Sequence, residues 1–399
     1  MIILDKFSEA VYCQNTMSTR TLLINWLYFH PVGHAVEGFA AAAEYYAVDP
    51  ELKIHLILNS RTPIELVESC PWVAKCYPID VNEVAAKREL ANCLQRLPKD
   101  WDYIVSSERW LNRKLYSQKL YLCHEIIDSL CQARLWRGVR GKRGDGIEPA
   151  PDFKPGAKFK MTPLKSARHY ADRFQQDGLI FSILLAGSSV EKIYPKISWW
   201  KLLLQQMNRV FSQVRFLILG HTKSKSNQTT THAYSPSELE DLFTTLPNIV
   251  NCYNVGLGNQ LALIELSNIF ISPHTGFAFL APCVGTPWLA ISGVRWPDPA
   301  FASMPFYSVL PTCPKYPCFT NMKTECRMRI GINQTVRCMG KELNERIPEV
   351  IEGAKLLLNP DFDLSDAIDT YKTSAVKKNV CFDRLYTLKI LEHRQSRSP

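Results

Sequence analysis

The chain has 399 residues, of which 46% are hydrophobic and 21% charged, and a net charge of +9 at pH 7. This is globular composition with core material for two or three domains, which excludes a disordered or fibrous chain. No apolar run approaches the ~20 residues that span a bilayer, and the basic residues lack the aromatic interleaving of nucleic-acid binders, so no nucleic-acid partner is predicted.

Asp5 and Glu9 interrupt the opening segment, which does not read as a secretory signal. With 13 cysteines, that predicts a reducing, cytoplasmic setting and mostly free thiols. The Asn-x-Thr triplets at Asn227 and Asn333 are then chance matches. The positive charge is compatible with anionic ligands such as nucleotides, and with peripheral contact at the inner face of an anionic membrane. Oligomeric state is not readable.

The first predicted strand is 22–29, LLINWLYF, a short apolar run without helical gaps. A turn at His30–Gly33 leads into an alanine-rich helix over 35–48. A strand over 52–60, a helix opened by Pro63, a short strand CYPID, a helix over 81–96 and a strand over 102–107 follow. Residues 138–165, rich in Gly, Pro and Lys, form a long loop or linker.

The alternation then resumes. Strands are predicted at 178–189, 214–220, 249–253, 268–272 and 287–293. Helices are predicted at 199–211, from Ser235 with Pro236 at its first position, at 259–267 and at 279–284, with a polar loop over 222–231. A helix over 344–358 and a final amphipathic helix with a frayed end, over 377–399, close the chain. The fold class is α/β: two Rossmann-like units with parallel sheets, 1–175 and 176–375, plus a terminal segment 376–399. Such sheets bind ligands beyond the carboxyl ends of their strands, so the cleft between the units is the expected site.

Three strand-end loops carry the candidate chemistry. In HPVGHAVEGF, Gly33 permits close backbone approach, and His34 sits at a helix entrance with Glu37 about one turn on. An imidazole there suits a general base, and equally suits a helix-capping or core-edge histidine; His30 is a second candidate. In AGSSVEKIYP, the small residues Gly187, Ser188 and Ser189 precede Lys192, an exposed lysine or a cation for a diphosphate. It is not a Walker sequence. In SPHTGF, His274, Thr275, Gly276 and Phe277 follow a strand, with backbone N–H groups placed to cradle an anion. Cys313, Cys318, Cys326 and Cys338 lack paired zinc knuckles, so free thiols are favoured over zinc and no metal is predicted.

In order, these loops resemble the ADP-heptose:lipopolysaccharide heptosyltransferase family of inverting GT-B glycosyltransferases. The residues from Gly33 to Ala40 are similar to its first loop, and Gly187 to Pro195 to its GASxxKxWP segment. The strand ending at Gly220 is similar to its LLGG, and His274 through Gly293 to its DTGxxHLAxxxGTP signature. The resemblance implies a GT-B fold whose N-terminal unit holds the acceptor and whose C-terminal unit holds a nucleotide-sugar donor. The final helix would cross back to the first unit. Lys192, Thr275 and Gly276, with Gly220 nearby, would bind the donor diphosphate without metal or further cofactor.

Three functional positions depart from the family pattern. His34 replaces its first-loop aspartate, His274 its signature aspartate, and Phe279 its signature histidine. The implied activity is inverting transfer to a glycan or small-molecule acceptor hydroxyl, with His34 as base and His274 as a cation toward the diphosphate. The alternative is a catalytically inactive GT-B-like nucleotide- or glycan-binding protein. A nicotinamide dehydrogenase is disfavoured because no GxGxxG follows the first strand.

Overall fold

The computed structural model describes residues 20–106, 117–139, 160–188, 193–222, 231, 233–293, 304–313, 316 and 335–380. Ser189, Lys192, Cys318, Cys326, most of the 138–165 and 222–231 loops, and the predicted terminal helix beyond residue 380 lie outside the described residues.

The first sheet contains β1 (Thr21–Asn25), β2 (Lys53–Asn59), β3 (Lys75–Ile79), β4 (Asp100–Ser106) and β5 (Gln132–Val139). All pairings are parallel, in the order β3-β2-β1-β4-β5. The second contains β6 (Leu179–Leu184), β7 (Val214–Gly220), β8 (Ile249–Tyr253), β9 (Ile269–Pro273), β10 (Trp288–Ile291) and β11 (Phe306–Val309). These are also parallel, ordered β11-β10-β9-β6-β7-β8. Counted from its own first strand, each sheet follows the doubly wound order; the first presents five of its positions among the described residues.

Parallel strands are buried on both faces, which is why they read as continuous apolar runs. The expected strand over 22–29 is shorter. After Asn25 the chain leaves the sheet, with one last ladder bond from Trp26 N to Ile57 O, and Asn25 Oδ1 accepts from Leu27 N in a local turn. The expected helix over 81–96 is broken into α3 (Val81–Lys87), a 3-10 turn and α4 (Asn92–Gln95). Arg88 adopts a left-handed φ of 53°, and Glu83 accepts from Asn92 N across the break. The sequence reading missed α5 (Gln118–Leu130), β5, α6 (Lys165–Asp172), β11 and the helix Leu364–Lys377. The helix opened by Ser235 has the expected N-cap with Pro236 in its first turn, and Glu238 completes a capping box.

Helix α1 (Gly33–Val48) sits at the centre of the molecule, with Ala40, Ala41, Ala42 and Ala43 all buried. One apolar cluster runs from Leu22 and Ile24 through Phe39 and Ala42 to Leu261, Leu280 and Trp288, so it joins the two sheets. The helices α2 (Ile64–Glu68), α9 (Leu257–Leu266) and α10 (Leu280–Cys283) complete this seam. The chain between the sheets is pinned to both sides. Met161 N donates to Cys283 O and Thr162 N to Ser69 O, each at 2.8 Å. Helix α6 packs on α9, where Arg168 meets Glu265 with two bonds of 2.7 and 2.6 Å.

On the far side of the second sheet lie α7 (Ile197–Val210), α11 (Ile347–Leu358) and α12 (Leu364–Lys377). Tyr371 of α12 packs on Phe306 of β11, and Lys378 bonds both oxygens of Glu349 and the carbonyl of Leu310. Arg346 is 5% exposed and donates to the carbonyls of Cys338, Ser292 and Val309, tying the ends of β10 and β11 to the α11 entrance.

Arg346→Met should therefore lower unfolding free energy by about 3 kcal/mol, because it strands buried carbonyls; urea denaturation measures it. A second expectation concerns acid. Burial, aided by Lys75 and Lys53, pushes the His55 imidazole down to about 4. The unfolded chain binds that proton near 6.5, so this group's contribution is intact above about pH 6.5 and is lost as pH falls toward 4. His55→Gln should flatten the stability loss in that window, measured by thermal unfolding against pH.

Candidate active site

Doubly wound sheets bind ligands where the strand order reverses, beyond the carboxyl ends. That point lies between β1 and β4 in the first sheet and between β6 and β9 in the second. The loops after β1, β6 and β9 are those that carry Gly33 and His34, Gly187 and Ser188, and His274 to Phe277.

These loops touch. A Cβ on Gly33 would lie 2.7 Å from Gly276 Cα, and one on Gly276 would lie 3.1 Å from Gly33 N. A Cβ on Gly187 would lie 2.9 Å from Thr275 Cγ2 and 2.8 Å from the Tyr194 hydroxyl. Glycine is what permits these approaches: Gly33 and Gly276 meet backbone against backbone, and Gly187 takes the Thr275 and Tyr194 side chains against its own backbone. Ser188 is exposed beside Gly187.

His34 Nδ1 is 3.1 Å from Glu37 Oε2, one helical turn along α1. Both side chains are mostly buried, at 24% and 11% exposure. Tyr28 lies on the other side of the imidazole, with ring centroids 3.9 Å apart, and the His30 ring is 5.6 Å away. A carboxylate on Nδ1 fixes the tautomer that leaves Nε2 as the acceptor nitrogen.

Thr275 is buried, and its Oγ1 accepts from Ala278 N at 3.2 Å, which shapes the turn. Among the described residues, neither the Gly276 nor the Phe277 N–H has an intrachain hydrogen bond. Gly276 is exposed, and half-buried Phe277 faces Phe270 at 6.3 Å. Successive unspent N–H groups in a turn make an anion-binding concavity. His274 is half-buried edge-on to Phe279 at 5.4 Å and Trp288 at 6.4 Å; Trp288 Nε1 in turn donates to Ser272 Oγ.

Gly220 ends β7, which pairs with β6. Its carbonyl accepts from Gln260 Nε2 and Asn254 N, each at 3.0 Å, and a Cβ there would meet the Tyr253 ring at 2.5 Å. Its glycine is required by packing at the end of β7. Cys338 is buried and Cys313 half-buried, and no group of His, Cys, Asp and Glu among the described residues could hold a metal. Tyr28 is the site residue that sequence reading missed, because the aromatic run after Asn25 was absorbed into the first strand. The Pro31–Gly33 turn signal was the available clue.

No protein-family model and no curated protein sequence matches the chain. Solved structures do match in fold. A glycosyl transferase family 9 protein from Veillonella parvula superposes with a TM-score of 0.55 at 13% identity, covering 86% of this chain and 98% of that one. The Escherichia coli ADP-heptose lps heptosyltransferase II superposes at 0.52 with 12% identity, covering 85% and 98%. The fold class is GT-B, with two parallel-sheet α/β units whose crevices meet at one seam. Both of these structures share that fold with the chain. No helix among the described residues is long and apolar enough to cross a membrane.

Gly33→Ala and Gly276→Ala should each cost about 1–3 kcal/mol by driving one backbone off the other. Gly258→Ala, where a Cβ would meet nothing closer than 3.4 Å, serves as the tolerated comparison in the same chemical denaturation series.

Proposed function

We propose that the chain is an inverting glycosyltransferase that moves a sugar from a nucleotide-sugar donor to an acceptor hydroxyl. The single observation that carries this reading is the His34–Glu37 pair at the start of α1, beside the Gly33–Gly276 contact. It sets a candidate base against an anion-cradling turn on a GT-B fold. The donor proteins' chemistry supports it by analogy: the fold neighbour from E. coli is described as acting with ADP-heptose.

In this reading residues 1–175 hold the acceptor and 176–375 the donor. His34 Nε2 takes the proton from the acceptor hydroxyl, while Glu37 holds the ring and offsets the charge it gains. The hydroxyl oxygen attacks the anomeric carbon from the face opposite the nucleotide, and the bond to the diphosphate oxygen breaks, inverting the centre. The departing diphosphate takes its countercharge from the N–H groups of Gly276 and Phe277, from Lys192, and from His274 when protonated, without a metal. Gly187 and Ser188 let the phosphates approach the end of β6. The acceptor is a glycan or small molecule, and the setting is the cytoplasm, with peripheral contact at the membrane's inner face.

The test has two parts. Nucleoside diphosphates should raise the melting temperature of the wild type, since a ligand of the folded state stabilises it. His34→Ala should lower kcat for nucleotide-sugar turnover by about 10²–10⁴ with nucleotide binding retained. Unchanged turnover removes His34 as base. Nucleotide binding without turnover of any nucleotide sugar would instead identify a binding protein.

A further inference from the structure

The loop between β1 and α1 is held more firmly than a connecting loop requires. Asn59 Nδ2 donates to the carbonyls of Tyr28 and Phe29 at 2.7 and 3.3 Å. Thr62 Oγ1 donates to the carbonyl of Pro31 at 2.8 Å, and His124 Nε2 meets the carbonyl of Leu27 at 3.0 Å. Asn59 is itself anchored, its Oδ1 accepting from Arg61 N at 2.9 Å. Side chains from two other segments, residues 59–62 and α5, thus fix the backbone of one short stretch.

What that stretch presents is aromatic. Phe29 is 38% exposed, His30 is exposed and Tyr28 half-buried. The shelf continues directly into the site: Tyr28 packs on His34, and the His30 ring lies 6.1 Å from Tyr28 and 5.6 Å from His34. Its rings are not coplanar. Tyr28 is tilted 34° to His30 and 53° to His34, and His30 is tilted 40° to His34.

We propose that the Tyr28–Phe29–His30 loop is the acceptor subsite and that its ligand is a neutral pyranoside, a sugar ring whose C–H face lies on the shelf. This deepens the transferase reading and rests on it. A puckered ring with C–H groups projecting along several directions matches rings tilted against one another; a flat aromatic acceptor would find one parallel face at most. The exposed imidazole of His30 places polar ring atoms at the edge of the shelf, the usual division between apolar area and a few orienting polar groups. The fixed backbone means that little ordering entropy remains to be lost on binding. A hydroxyl of a ring on this shelf is beside His34, where the proposed proton transfer needs it.

The experiment is calorimetric titration of the full chain with chitotetraose, maltotetraose and mannotetraose, and with 4-methylumbelliferone as the flat alternative. At least one oligosaccharide should bind, with Kd rising about tenfold in Phe29→Ala and recovering in Phe29→Trp. Because Phe29 is exposed, both variants should fold, and circular dichroism verifies it. A wild type that binds nucleoside diphosphates but no oligosaccharide, or only the flat phenol, overturns the subsite while leaving the transferase reading intact. So does oligosaccharide binding that Phe29→Ala leaves unchanged. A wild type that binds neither nucleotide nor oligosaccharide overturns both.

Discussion

At Gly33 and Gly276 two backbones meet with no side chain between them, and the arrangement of the site depends on that contact. A methyl group on Gly33 would sit 2.7 Å from the opposing Cα. Any other residue there would drive the first-sheet loop away from the second-sheet loop. The residues on either side, His34 and Thr275, owe their proximity to this approach. Gly187 against Thr275 extends the same logic to the third loop. Three strand ends from two sheets are therefore brought to one place by the absence of side-chain volume.

The approach is held from below by an apolar seam. Helix α1 is small enough along its alanine stretch to lie between the sheets, and the cluster it belongs to continues from β1 to Trp288 of β10. Burial of that cluster is the force that keeps the two crevices opposed, at about 25 cal/mol per Å² of apolar surface. The polar ties across the seam, such as Met161 to Cys283 and Thr162 to Ser69, add direction to an attraction that has none of its own. The strand order then decides which loops face the seam: in both sheets they are those next to the reversal point.

Most central elements were legible in the sequence, and the physical reason is burial. A strand covered on both faces must be apolar throughout, so LKIHLILN and VRFLILG announce themselves. The edges did not. QARLWRGV of β5 carries Arg134 and Arg137, and FYSV of β11 is short, because an edge strand needs less apolar surface. The break at Arg88 was invisible, since its left-handed backbone is not marked by glycine. The helix α12 was missed for a related reason: its acidic first turn and scattered apolar residues dilute the period that packs Ile368 and Tyr371 inward.

The sequence by itself determined the alternation of strands and helices, the two-unit plan, and the three loops in which chemistry is concentrated. Local composition suffices for these, because apolar period and turn residues act over a few positions. Only the tertiary structure decided which residues of those loops meet. It placed Glu37 on His34 and stacked Tyr28 against the same ring. It also committed the Gly220 carbonyl to Gln260 and Asn254, and set His274 edge-on to Phe279 and Trp288. Such contacts join positions far apart in the chain, and their geometry is fixed by sheet order and seam packing, which no local pattern of residues records.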